Sequence, residues 1–212
     1  MDVKRKLRNN LISRIQQLST DKLTELNNLL TKVENQLKSK DRTLQLAGTW
    51  KDLDDDIFIG LTEKLHGNRS KDRQISWSVT ESLVDTDILS FYFKGDTKVI
   101  ERFTKYLREF DLINISLITY YEVTAGLKFK KAEKQLRDFE EFIRNNTIIH
   151  ISEESAKISA EIYAELRQNE ITIGTSDILI AGIALENGLT LITNNEKHYE
   201  PIEGLKIENW KK

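Results

Sequence analysis

The 212-residue chain is long enough for one ample domain or for a standard domain with an appendage. Apolar residues make up 39% and charged residues 31%, which suits a real core under a heavily charged surface. The absence of Cys excludes disulfides, thiolate metal sites and a Cys nucleophile, and the net charge of -2 leaves any nucleic-acid contact to local patches.

One Pro and 9 Gly favour long helices over a turn-rich β-sandwich. No apolar run approaches the ~18 residues of a membrane span. The N-terminal "MDVKRKLRNN" has no apolar stretch behind it and does not read as a secretory signal, so the expected location is the cytoplasm.

From residue 1 to residue 38 the sequence is polar with a sparse apolar stripe. Leu7, Leu11, Ile15 and Leu18 recur at helical spacing, followed by Leu23, Leu26, Leu30, Val33 and Leu37. Ser19, Thr20 and Asp21 break the two runs, with Thr20 as the expected N-cap. Two amphipathic helices with narrow seams are predicted. Such seams need a cover, either the rest of the chain or a second copy in a homo-oligomer.

Residues 39–81 alternate polar runs with isolated apolar anchors, Leu44, Leu46, Trp50, Phe58, Ile59, Leu61, Leu65 and Trp77. A short helix over 54–65 is expected, with the acidic "DLDDD" at its positive end. Arg69, Lys71 and Arg73 follow in a Gly/Asn/Ser context as a basic tail. Anchors separated by polar spacers describe a segment that lies across another surface and does not fold alone.

Residues 82–212 are regular. Short apolar runs read as buried strands: "LV" before Asp85, "LINIS" from Leu112, "TIIHI" from Thr147, "LTLIT" from Leu189, and "LKIEN" near the end. Amphipathic helices are predicted over 97–110, 117–125, 131–144, 153–168 and 175–186. This alternation makes the fold class α/β, a parallel sheet sandwiched by helices, preceded by an all-α and extended N-terminal segment.

In such a sheet the strand C-termini share one edge, where sites form. Asp85 directly follows the first strand. Glu122 lies about one turn into the helix after the second, Asp177 opens an apolar helix, and Asn195 with its neighbour Asn194 follows another strand. Carboxylates brought together repel one another, and a hard divalent cation removes the conflict. Oxygen donors without Cys or His favour Mg²⁺ or Mn²⁺ and point to metal-assisted phosphodiester hydrolysis. Taken singly, Asp85 and Asp177 are ordinary N-caps, Glu122 a solvent-facing residue and Asn195 a turn residue. Their order and shared edge separate the two readings.

The stretches "LVDTDIL", "SLITYYEVTAG", "IGTSDILIAGIALENGLTLITNNEKHY" and "PIEGLKIENW" resemble a PIN domain, in particular the toxin ribonucleases of bacterial VapBC toxin–antitoxin pairs. The resemblance implies Mg²⁺ or Mn²⁺ dependence and cleavage of single-stranded RNA, in some relatives transfer RNA. It assigns the metal-binding acids to Asp85, Glu122 and Asp177. The fourth acidic position falls at Asn195, where many PIN domains have Asp. Asp87, Thr86 and Thr193 are expected to support this ligand shell, with Asp87 also capping the next helix.

The segment from Leu44 to Arg73 resembles the toxin-wrapping part of a partner antitoxin. Trp50 and Phe58 stand as anchors, and Arg69, Lys71 or Arg73 as the basic side chain that enters the acidic site. A guanidinium or ammonium among unmetallated carboxylates satisfies them and competes with a cation. The expectation is a toxin–antitoxin fusion inhibited in cis or by exchange with a second chain.

Two rival readings stand beside it. "DTDIL" fits the opening of a haloacid-dehalogenase-like phosphatase, but Leu89 stands where Thr or Val is expected and no downstream Lys and paired Asp complete the set. A catalytically silent PIN scaffold for assembly or DNA autoregulation takes Asn195 as a sign of lost activity. "VKRKLR" is then the local basic stretch for DNA, without support from the overall charge. Lys128, Lys130 and Lys131 with Phe129 read either as a phosphate-contacting patch or as a solvated loop. His66, His150 and His198 match no metal spacing, although His198 lies close to Asn195 at the rim.

Overall fold

The computed structural model describes residues 8, 10–12, 14–15, 18–53 and 80–212. Two compact units are present, residues 1–39 and residues 40–212. The expected helix over 54–65, Phe58, Trp77 and the basic residues Arg69, Lys71 and Arg73 lie outside the described residues.

In the first unit, residues 10–12 and 14–15 are helical, and α1 begins at Thr20 and runs as Thr20–Gln45. Thr20 is therefore the first helical residue, and the carbonyl of Ser19 takes the Leu23 N–H at 2.9 Å. The helix also continues past the expected end at residue 38. Nothing in Lys38–Gln45 breaks a helix, since no Gly or Pro falls before Gly48.

The second unit is built on a five-stranded sheet ordered β3-β2-β1-β4-β5, with every neighbouring pair parallel. The strands are β1 (Ser82–Val84), β2 (Asn114–Ser116), β3 (Thr147–Ile149), β4 (Thr190–Ile192) and β5 (Ile207–Glu208). Each falls within an apolar run identified from the sequence. The helices are α2 (Thr86–Lys94), α3 (Thr97–Glu109), α4 (Leu117–Phe129), α5 (Glu133–Arg144), α6 (Glu153–Gln168), α7 (Thr175–Glu186) and the single turn α8 (Glu196–Tyr199). No described helix is long and apolar enough to cross a membrane.

The helix expected after Asp87 is α2, but its cap is Asp85, and Gly95 closes it in the left-handed conformation at φ 87°. Two helix boundaries also differ from the sequence reading. α4 runs on to Phe129, past residue 125. α5 starts at Glu133 because Lys131 adopts a positive φ of 55° and interrupts the helical path.

Burial on both faces makes the central strands continuously apolar rather than alternating. Leu83 and Leu191 point into one core cluster with Ile178, Ile180, Ile183 and Tyr199, while Val84 and Ile192 point into the other with Tyr92, Phe93 and Phe103. α6 and α7 approach closely at Gly182. A Cβ there would stand 2.1 Å from Ser159 Oγ and 2.6 Å from the Ser155 carbonyl, so only Gly fits.

Residues 40–53 are part of this second unit's core. Trp50 is fully buried and stacks on Phe93 at 4.2 Å between ring centroids, and Leu46 and Leu53 join the same cluster. The backbone follows, with Gly48 N–H donating to Tyr92 O at 3.1 Å and Trp50 N–H to Phe93 O at 2.9 Å. Tyr92 Oη donates to the Thr43 carbonyl, Arg42 pairs with Glu141, and Lys40 pairs with Asp111 at 2.9 Å. The Trp50 Nε1–H is buried without a hydrogen-bond partner among the described residues, so apolar contact and ring stacking anchor this side chain.

Trp50→Ala is expected to remove about 3–5 kcal/mol of stability, as truncation of a buried aromatic does. For a chain of this length that corresponds to a fall in Tm of roughly 6–20 °C in a thermal unfolding scan.

Candidate active site

The strand order reverses direction at β1: the chain leaves it toward β2 on one side and returns as β4 on the other. The loops leaving the C-terminal ends of β1 and β4 diverge there and open a crevice. Asp85 stands at the end of β1. Its N–H continues the ladder to Ile192 O at 2.9 Å, and its Oδ1 accepts the Thr86 N–H at 2.8 Å as the N-cap of α2. One residue beyond β4, Thr193 donates Oγ1–H to Asp85 Oδ2 at 2.9 Å, and Tyr199 Oη–H reaches the same oxygen at 3.4 Å.

Asp87 is tied to the same two loops. Its Oδ1 accepts the Ile88 N–H at 2.6 Å and its Oδ2 accepts the Asn194 N–H at 2.9 Å. The cap of α2 is thus Asp85, and Asp87 bridges the first turn of that helix to the loop after β4. From α4, Glu122 reaches back to the sheet edge, where Thr86 Oγ1–H donates to its Oε2 at 2.7 Å. From the first turn of α7, Asp177 meets His198 of α8, with Oδ2 to Nδ1 at 3.0 Å.

Asp85, Asp87 and Asp177 are buried, and none is paired with a Lys or Arg among the described residues. Burial pushes the Asp85 carboxyl up to about 7, with the charges of Asp177 and Glu122 adding and the Thr86 and Thr193 hydrogen bonds opposing. Burial, and then the charge of Asp85, hold Asp87 well above the usual carboxylate range. Burial together with the charges of Asp85, Asp177, Asp87 and Glu122 drives the Tyr199 phenol well above its ordinary value. The four acids therefore share one electrostatic environment.

The structure thus brings Asp85, Asp87, Glu122 and Asp177 to one crevice, with Thr86 and Thr193 as hydroxyl supports. Asn195 is not drawn in by its side chain. Its N–H donates to Thr193 Oγ1 at 3.0 Å, which positions the hydroxyl that in turn holds Asp85. The neighbouring Asn194 contacts Asp87 through its backbone. Sequence reasoning placed His198 at the rim without a partner and passed over Tyr199. Their signal is positional: both sit on the single turn that starts directly after Asn195, one turn from the strand end.

A hard cation fits the donor chemistry of this site, which is carboxylate oxygen in a largely buried setting. The acids are held apart, each by a neighbouring N–H, hydroxyl or imidazole. No three acidic or His side chains among the described residues stand grouped closely enough to hold an ion as they are. Asp85, Glu122 and Asp177 would hold such an ion only after moving closer to one another.

A parallel α/β sheet with buried acids at its switch point defines the class, and comparison with known proteins supplies the family. The PIN domain matches residues 82–202, more than half of the chain, and the protein belongs to the PIN-domain family. Ribonuclease VapC2 of Rickettsia felis is 31% identical over 131 residues, 61% of this chain and 98% of the relative. The tRNA(fMet)-specific endonuclease VapC of Shigella flexneri is 32% identical over 130 residues, 60% of this chain and 96% of the relative. Among solved structures, VapBC2 from Rickettsia felis bound to a DNA fragment from their promoter aligns with a TM-score of 0.56 and 29% identity, covering 61% of this chain and 98% of that one. Residues before 82 lie outside the family match.

The raised carboxyls give a pH dependence with a definite sign. Asp85 titrates near 4 when unfolded and at about 7 when folded, so the folded state holds the extra proton between those values. The stability of the metal-free protein falls as pH rises from about 4 to about 7 and loses nothing further from this group above that. In EDTA at pH 8, Asp85→Asn is expected to raise Tm by about 4–8 °C, roughly 2 kcal/mol, and to flatten the pH profile. An unchanged or lower Tm counts against the burial penalty assigned to this carboxylate.

Proposed function

We propose that the protein is a Mg²⁺- or Mn²⁺-dependent endoribonuclease of the VapC toxin type, held inactive by residues 39–81 of a chain that joins toxin and antitoxin parts. The observation that carries the reading is the set of buried acids, Asp85, Asp87 and Asp177 with Glu122, converging at the sheet's switch point without a Lys or Arg on the three aspartates among the described residues. The relatives include proteins named as ribonucleases and one named as a tRNA(fMet)-specific endonuclease, which supports an RNA substrate and transfer RNA as the first to try.

Asp85, Glu122 and Asp177 are the residues to hold the cation. Once bound, it supplies Lewis-acid polarisation of the scissile phosphodiester and makes a neighbouring water more acidic. The chain's own side chains do the positioning. Thr193 and Tyr199 fix one oxygen of Asp85, Thr86 steers Glu122, and His198 orients Asp177. Asp87 locks the α2 turn to the loop after β4, so the two sides of the crevice keep their spacing. Asn195 contributes through its N–H on Thr193.

Inhibition is assigned to the same chain because its antitoxin-like anchor is a core residue of the nuclease unit. Trp50 is as buried as the strands themselves. A covalently tethered inhibitor acts at an effective concentration that reaches the millimolar range for a short linker. In this reading Phe58 is a further anchor, and Arg69, Lys71 or Arg73 supplies the charge that occupies the acids in place of a cation. The protein works in the cytoplasm, where its RNA substrate is found.

The test uses the full chain, since removing the N-terminal part would strip Trp50 from the core. RNA cleavage is measured with Mg²⁺ or Mn²⁺ for the wild type, for the triple variant Arg69→Ala/Lys71→Ala/Arg73→Ala, and for that variant carrying Asp85→Ala. The triple variant is expected to cut at least about 10-fold faster than the wild type. Asp85→Ala, or EDTA, is expected to reduce cleavage by about 100-fold or more with the fold intact by circular dichroism. A folded triple variant that binds no divalent metal and cuts no RNA removes the enzyme reading and leaves the silent scaffold.

A further inference from the structure

We propose that α1 is a self-association element, in which residues 23–37 form a coiled coil with the same segment of a second copy of this chain. Leu23, Leu26, Leu30, Val33 and Leu37 follow one another at intervals of 3, 4, 3 and 4 residues, the a/d pattern of a heptad repeat. Nearly every residue between them is polar, with Leu29 the one addition, so the stripe is the narrow seam that a single neighbouring helix covers.

Most of that seam is exposed, with Leu26 half-buried. Leu23 is 38% exposed, Leu30 52%, Val33 50% and Leu37 56%. The preceding helical residues do not close over it, because Leu11 and Ile12 are themselves exposed. An uncovered helix with a regular apolar stripe takes its stability from a partner, since isolated helices are marginal in water even at good length. A row of exposed leucines this long marks a contact surface rather than scattered surface residues.

The seam also has a definite end. The next d position is Lys40, whose ammonium is held by Asp111 at 2.9 Å, and the next a position is Leu44, which packs against the core of residues 40–212. The repeat is therefore free over about two heptads and gives way to intramolecular packing where α1 enters the second unit.

The flanking positions favour a second copy. In a parallel pair the g-to-e contacts are Lys22 with Asn27, Leu29 with Glu34 and Gln36 with Asp41, none of which sets like charges together. Leu29 extends the apolar face toward Glu34, whose stem can cover it. A seam of this kind is complementary to itself and needs no other protein. The short repeat points to a reversible, concentration-dependent association rather than a permanent one.

The experiment is analytical ultracentrifugation of the full chain from about 5 to about 200 µM, a span over which a weak dimer forms. The monomer mass is 24.7 kDa. Wild type is expected to rise toward twice that value with concentration. Leu30→Glu/Val33→Glu is expected to weaken dimerisation by at least about 10-fold, like other charge insertions at a seam, without changing the Tm of the 40–212 unit. The chain has no Cys, so single introduced thiols report cleanly. Leu30→Cys, on the seam, should give a disulfide-linked dimer on mild oxidation, and Thr31→Cys, one residue off it, should not.

A monomer at all concentrations overturns the proposal. So does a dimer that the double substitution leaves unchanged, which would place the contact elsewhere on the chain. Neither outcome depends on nuclease activity, so failure here and failure of the enzyme reading are read separately.

Discussion

The burial of Asp85, Asp87 and Asp177 with no Lys or Arg paired to them among the described residues is the constraint on which the second unit's organisation turns. A carboxylate taken out of water is costly, and several near one another are costlier still. The fold meets that cost with small local donors. Asp85 is held by one N–H and two hydroxyls, Asp87 by two N–H groups, Glu122 by a threonine hydroxyl and Asp177 by an imidazole. These donors orient the acids, while burial and the neighbouring charges of Asp177 and Glu122 keep the Asp85 carboxyl raised.

The position of the crevice follows from topology. Because β4 lies beside β1, the loop after β4 delivers Thr193, Asn194 and Tyr199 to the acids that follow β1. Shape and charge at this edge depend on strand order more than on any single motif. The aromatic cluster on one face of the sheet, from Phe93 to Phe103 and Phe142, supplies the rigidity that keeps α2 and its cap in place. Residues 40–53 complete that cluster through Trp50. The segment ahead of the PIN domain thus contributes an anchor to the core, and the basic residues Arg69, Lys71 and Arg73 follow it in the sequence.

Much of the second unit was legible in the sequence. Five short apolar runs became five parallel strands, and the helices over 153–168 and 175–186 matched residue for residue, because periodicity is a local property. The misses also have physical causes. The helix after Asp87 was expected, but its extent and its Asp85 cap were not, because α2 is buried on nearly all sides, which weakens the amphipathic signal of a surface helix. The end of α4 and the start of α5 were displaced by the positive φ of Lys131, a conformation that Lys does not advertise.

The candidate site divides in the same way. Asp85, Glu122 and Asp177 could be named from the sequence, because each stands at or within about one turn of a strand or helix terminus, where chain order alone implies a shared edge. Thr86 and Thr193 were expected beside the acids through the resemblance, but which acid each holds, and Tyr199 altogether, could not be read: Thr193 meets Asp85 across 108 residues of sequence, and Tyr199 meets it across 114. Which asparagine engages the acids, and whether by side chain or backbone, depends on the turn after β4. That turn gives Asn194 to Asp87 and leaves Asn195 to Thr193. By itself the sequence determined the alternation of strands and helices, the acids at their ends and the heptad of α1, since all three are periodic or positional. Only the tertiary structure decided that Trp50 is core, that His198 belongs to Asp177 and that each acid is held by its own donor, because those facts rest on strand order and side-chain geometry between distant residues.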